Sequence, residues 1–175
     1  VRAGIRVYIV KGNHDAESQI SKVLPKVEGV HVFEHKNCET QEIAELKVAL
    51  HGQSFKQRAV TDDLAKDYPS AKDGWFNIGL LHTCLTPDTD SVHLPYAPTS
   101  VTTLASKGYD YFALGHVHQR QVVRETAPRI VFPGNLQGRQ ANETGSKGCE
   151  LVTVRDGSIA AQHVGLERVR WHRVL

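Results

Sequence analysis

Apolar residues in this chain fall into short dense runs, most of them closed by glycine, proline or histidine, and the runs differ in period. Ile5 to Val10 (IRVYIV) is β-branched and aromatic and stops short of Gly12, the pattern of a buried strand. Ala16, Ile20, Val23 and Leu24 then recur at helical spacing up to Pro25, which predicts a strand, loop and helix in succession. Val30 to Phe33 and Leu46 to Leu50 read as further strands, the second leading into His51-Gly52. Ala59 to Tyr68 has a helical texture with Thr61 as its cap, ahead of Pro69 and the turn-rich SAKDG. Trp75 to Leu81 is nearly continuous and apolar, as in a strand covered on both faces, and it ends on His82. Thr99 to Lys107 reads as a helix, and Tyr109 to Leu114 as a second apolar strand running into Gly115-His116-Val117-His118. From Arg129 the texture changes to RIVF, CELVTV, IAAQHV and RVRWHRV, separated by PGN, GSKG and RDG, which predicts antiparallel hairpins. Residues 135–148 read as a loop of the same domain.

The unusual polar residues therefore sit at three strand ends: Asn13-His14-Asp15, His82, and His116-x-His118. In open α/β sheets, ligand sites gather beyond the carboxyl ends of the strands, so these distant segments can meet. Residues two apart on an extended segment project to one side, so His116 and His118 can serve two positions about 3.5–4 Å apart, the gap of a dinuclear metal pair. Imidazole and amide-oxygen donors suit Mn²⁺, Fe²⁺ or Zn²⁺. Each member has a plainer reading alone. KGNHDAES fits a polar turn in which Gly12 and Asn13 accept positive φ and Asp15 caps the next helix, and His82 fits a hydrogen-bonded surface group. Only the joint occurrence makes a dinuclear site the natural reading. His31, His35, His93, His163 and His172 lack such a setting and read as surface or packing residues, with His51 intermediate because it precedes a glycine at a strand end.

Composition narrows the class without changing this picture. A chain of 175 residues with 40% hydrophobic positions supports one substantial core, hence a single domain. Lys and Arg number 21 against 19 acidic residues, so there is no global basic footprint, and a polyanionic substrate must be attracted locally. Arg120, Arg124, Arg129 and Arg139 are the candidate phosphate contacts. No apolar run approaches the ~20 residues that span a bilayer and no apolar leader opens the chain, so a soluble protein without a membrane partner is expected. Cys38, Cys84 and Cys149 are odd in number and contain no C-x-x-C pair, which argues against a disulfide framework and a structural zinc site and for reduced thiols in the cytoplasm. Methionine is absent and the chain opens on Val1, the expectation being a piece of something longer.

GNHD, GLLHT and GHVH, in that order, resemble the second half of the calcineurin-like metallophosphoesterase signature. The flanking segments LHGQSF, YDYFALGHVHQRQ, FPGNLQGRQANETGSKGC and RVRWH resemble the bacterial DNA repair exonucleases of the SbcD and YhaO type. The resemblance implies an α/β fold, a metallophosphoesterase-like αββα sandwich of two mixed sheets. It also implies metal-dependent phosphodiester hydrolysis with two divalent ions, manganese first and iron or zinc as substitutes. By resemblance Asn13, His82 and His116 hold one metal, His118 belongs to the other, and His14 is catalytic without being a ligand, with Asp15 orienting it. DNA and an SMC-like ATPase are the implied partners. The D-x-H and G-D-x-x-D segments that open the family pattern have no counterpart here. Residues 1–175 are accordingly expected to form a single nuclease domain lacking its amino-terminal strand-helix units, with 165–175 beginning a connection to a further domain. Such a chain is expected to bind at most one metal, weakly. A non-catalytic binding module and a small-molecule phosphoesterase of the same superfamily are the alternative readings.

Overall fold

Alternation along the central apolar strand sets the architecture. In Phe76–His82, residues Asn77, Gly79 and Leu81 are buried while Phe76, Ile78, Leu80 and His82 are half-buried, so one face of the strand is sealed by the core and the other is partly covered. The computed structural model describes residues 3–18, 25, 27–85 and 96–174. Its strands are β1 (Val7–Ile9), β2 (Val30–Val32), β3 (Glu39–Ile43), β4 (Val48–Gly52), β5 (Phe76–His82), β6 (Tyr111–Gly115), β7 (Gln121–Arg124), β8 (Arg129–Phe132), β9 (Gly148–Arg155) and β10 (Ser158–Gly165). Together with short helical turns they make a mixed α/β fold dominated by a six-stranded mixed sheet in the order β3-β4-β5-β6-β8-β7, with two two-stranded sheets beside it. β4, β5, β6 and β8 are parallel, and β3 and β7 close the two edges antiparallel. The register sets Leu50 beside Ile78, Ile78 beside Tyr111, and His82 beside Gly115. That last pairing delivers His82 and His116 to the same end of the sheet.

Tyr68, Leu81, Leu104, Tyr109, Phe112, Leu114, Ile130 and Phe132 form the core on one face of this sheet. Two short helical segments cover it. Leu64–Asp67 is a 3₁₀ turn capped by Asp63, whose carboxylate accepts from Ala65 N at 3.1 Å, so the longer helix expected over Ala59 to Tyr68 with a Thr61 cap is not formed. Val101–Ala105 is α-helical, capped by Ser100 Oγ accepting from Thr103 N at 3.0 Å. Gly79 makes room for the core, because a Cβ there would fall on the Phe112 ring.

β1 and β2 pair in parallel, Val7 beside Val30, and β9 and β10 form the predicted antiparallel hairpin. Its turn residues Asp156 and Gly157 both take positive φ, as two-residue hairpin turns with right-handed strand twist require. Leu46 ends a 3₁₀ turn instead of starting a strand, and the chain enters β4 through Lys47 at φ 50°. RVRWHRV is not a strand; it runs along the 135–148 loop, where Gln137 Oε1 accepts from Arg168 N at 2.9 Å and Gln137 Nε2 donates to Val169 O at 2.7 Å. The expected helix over Ile20, Val23 and Leu24 lies outside the described residues, as does His93; the described part opens with the helical turn Asn13–Glu17. No helix among the described residues is long and apolar enough to cross a membrane.

Candidate metal centre

Backbone stitching brings the first motif to the end of the sheet. Phe33 N donates to Ile9 O at 2.9 Å, Ser54 Oγ donates to Phe33 O at 2.6 Å, and Lys11 N donates to Ser54 Oγ at 3.0 Å. Phe55 N closes the set on Lys11 O at 2.8 Å. The β1–β2 pair is thus sewn to the segment after β4, which lays Gly12-Asn13 against the last residue of β5. Gly12 has φ −94° and ψ −166°, a conformation open to any residue. Its glycine identity answers to space and not to a positive-φ turn, since a Cβ would fall on the His82 imidazole. Asn13 is 5% exposed, and His82 Nε2 is hydrogen-bonded to its Oδ1 at 2.9 Å. His14 and Asp15 are exposed on the same turn, and Asp15 Oδ2 accepts from Gly12 N at 3.1 Å, so its carboxylate caps the turn.

His82 and His116 meet edge to face with ring centroids 5.2 Å apart. Phe55 packs edge-on to His82 at 5.1 Å and Tyr96 to His116 at 5.7 Å, giving the imidazoles an aromatic wall. His116 is held at φ 105°, a region that costs a non-glycine residue on the order of 1–3 kcal/mol and is met where surrounding structure fixes a side chain for use. Burial first, then the neighbouring His116 imidazole, pulls the His82 ring down to about 4, against the opposing pull of Asp15. His82 is therefore an uncharged imidazole at neutral pH.

These atoms fit a divalent ion in chemistry and in spacing. Two nitrogen or oxygen donors at adjacent positions around an ion with bonds of about 2.1 Å lie roughly 3 Å apart, as His82 Nε2 and Asn13 Oδ1 do at 2.9 Å. No group of three or more His, Cys, Asp or Glu side chains arranged to hold an ion occurs among the described residues; the imidazoles of His82 and His116 and the Asn13 amide are what the fold brings together here.

His118 lies close enough to weigh on the charge of His82, but its ring Nδ1 is 2.6 Å from Glu143 Oε1. Glu143 also accepts from Asn135 Nδ2 at 3.2 Å and from Arg139 N at 2.7 Å. The Arg139 N–H, followed by the His118 and Asn135 side chains, holds its carboxyl down to about 2 against the cost of burial. The His118 carbonyl is fixed in turn, accepting from Asn135 N and from Nζ of the buried Lys147, each at 3.2 Å. Gly134, at φ 77°, packs so closely on the backbone of His118 and Arg120 that a Cβ would strike it, so the PGN turn serves to clamp the H-x-H segment. Glu143 and Lys147 carry no legible signal: in sequence they are two charges in a polar loop.

The candidate phosphate contacts are differently engaged. Arg120 forks onto Glu150 with Nε and Nη2 at 2.9 and 3.0 Å, Arg129 pairs with Glu125 and lies 4.0 Å from Glu150, and Arg124 Nε donates to Thr126 Oγ1 at 3.1 Å. The charges of Arg120 and Arg129 are thereby offset by carboxylates, while Arg139 is exposed beside Glu143. His51 is a core residue: Nδ1 bonds Thr40 Oγ1 at 2.8 Å, Nε2 bonds Asn77 Oδ1 at 3.1 Å, and the ring stacks on Tyr109. His31 pairs with Glu39 at 3.0 Å and His163 bonds Ser146 at 3.2 Å, both away from the centre.

Residues 1–157 match the family model of the calcineurin-like phosphoesterase superfamily domain. The chain is also 36% identical over 177 aligned positions to an uncharacterized metallophosphoesterase, YhaO, of Bacillus subtilis (strain 168), in an alignment covering 97% of this chain and 42% of that protein. The chain thus spans less than half the length of this curated relative.

Proposed function

Because this chain belongs to the calcineurin-like phosphoesterase superfamily, whose chemistry is metal-assisted phosphoester hydrolysis, we propose that it serves in a phosphodiesterase that degrades DNA from its ends during repair. The observation that carries the reading is the convergence of Asn13, His82 and His116 beyond the carboxyl end of the parallel strands. The likeness of the flanking segments to repair exonucleases supports DNA as substrate and an SMC-like ATPase as partner.

Asn13 Oδ1, His82 and His116 would hold one divalent ion, manganese first, and His118 a second. Bound there, the ions supply charge neutralisation at the phosphoryl group and ease the deprotonation of water. The chain's own residues do the rest. Phe55 and Tyr96 pack edge to face on the two imidazoles and so restrict how their rings turn. His14, exposed on the turn beside Asn13, would hand a proton to the leaving oxygen, imidazole being the side chain most often used as a general acid. Asp15 fixes the turn that presents His14 through its bond to Gly12 N.

The test compares linear DNA with bis-p-nitrophenyl phosphate in the presence and absence of Mn²⁺, using the full-length protein. Mn²⁺-stimulated loss of nucleotides from DNA ends is expected. Cleavage of the small ester with DNA left intact would favour a small-molecule phosphoesterase, and no cleavage of either would favour a binding module.

A further inference from the structure

We propose that Glu143 is the positioning residue of His118, holding a proton on Nδ1 so that in the neutral ring Nε2 is the nitrogen that carries the lone pair. The consequence for metal binding rests on the proposed role of His118 as a ligand; the positioning itself does not. A carboxylate can only accept, so a contact of 2.6 Å between Glu143 Oε1 and His118 Nδ1 requires the proton to sit on Nδ1. The carboxylate is built for this place. Its side chain is 10% exposed, its second oxygen is occupied by Arg139 N, and Asn135 Nδ2 shares the oxygen that faces the imidazole.

The loop that carries Glu143 is anchored independently of His118. Gly145 N donates to Trp171 O at 3.3 Å and Trp171 Nε1 donates to Gly138 O at 3.2 Å, so the segment after the hairpin straps the loop on both sides of residue 143. The His118 backbone is clamped from the other side by Asn135 N and Lys147 Nζ. The backbones that carry ring and carboxylate are each held by bonds other than the one between them, and the short contact between the side chains selects one tautomer of the neutral ring. A carboxylate behind a ligating imidazole raises the basicity of the far nitrogen, and here it would bring a negative charge to a centre whose other named donors, Asn13, His82 and His116, are neutral.

The experiment reads the tautomer in the metal-free chain by ¹⁵N–¹H correlation of the histidine side chains, so it does not depend on activity or on metal. Recorded on the alkaline side, where the ring carries a single proton, the unaltered protein should show that proton on Nδ1 of His118 and a bare Nε2. Glu143→Ala removes the acceptor and should move the ratio of tautomers toward Nε2–H by about tenfold or more, the worth of a charge-assisted hydrogen bond. The buried His51 signals should stay in place as the check on folding. Should the alanine variant not fold, Glu143→Gln keeps the shape and removes the charge, and a shift in the same direction is expected. An Nε2–H tautomer in the unaltered protein, or an unchanged His118 spectrum in a folded Glu143 variant, would overturn the assignment. A tautomer switch together with no Mn²⁺-dependent cleavage by the full-length protein would uphold the positioning role and count against the functional reading alone.

Discussion

His82 and His14 lie close to the same asparagine and are expected to respond oppositely to removal. His82 faces Asn13 Oδ1 from within an aromatic wall, whereas His14 is exposed. In the full-length protein, His14→Ala should lower turnover by about 10²–10⁴-fold with metal content nearly unchanged, the usual worth of general acid catalysis, whereas His82→Ala should lose metal. Equal depletion of metal in the two variants, measured by elemental analysis, would contradict the division of roles. His82 also carries a pH signature in the metal-free chain. Its folded value is depressed from 6.5 to about 4, so the unfolded chain takes up the proton first. Its contribution to stability is complete above pH 6.5 and is lost as pH falls from there toward 4. The urea midpoint should accordingly drop between pH 7 and pH 4.5, and His82→Gln should flatten that part of the profile.

Between elements, the critical contact is the one where the start of the first helical turn touches the end of β5. Gly12 and His82 approach so closely that no Cβ fits between them. Gly12→Ala should push the imidazole off Asn13 and weaken metal binding, with little cost to the turn itself because its backbone angles suit alanine. A variant that binds Mn²⁺ as the unaltered protein does in calorimetry would show that the approach has no consequence. The sheet edges make a different point about elements. β3, reading ETQEI, and β7, reading QVVR, hold polar or short runs because an edge strand needs only one apolar neighbour, so neither stands out from a loop in the sequence. The inner strands β5 and β6 are apolar enough to be legible at once.

For the whole molecule, charge sets the limit on metal loading. Asn13, His82, His116 and His118, the proposed donors, bring no negative charge, so two divalent cations would bring +4 to a short separation where like charges repel strongly. Glu143 stands behind His118 and Asp15 is bonded to Gly12 N, so neither bridges the centre. Residues 1–175 alone should therefore bind at most one divalent ion, weakly, and show little phosphodiesterase activity. Calorimetric titration with Mn²⁺ revealing two tight sites would refute this, as would robust DNA cleavage by the chain itself.

Local composition was enough to place β1, β2, β5, β6 and the β9–β10 hairpin and to single out Asn13, His82, His116 and His118, because apolar runs that end on imidazoles are a property of neighbouring residues. Which of these side chains meet was a matter of register and stitching. The pairing of His82 with Gly115 and the bonds from Lys11 to Ser54 and Phe55 bring Asn13, His82 and His116 together, while the PGN clamp and Glu143 give His118 a separate partner. The same tertiary contacts put His51 in the core, turned Arg120 and Arg129 onto carboxylates, and gave Gly12 its reason. Each of these depends on residues far apart in the chain, and a hydrogen bond or an excluded Cβ between such residues leaves no periodicity for a sequence to show.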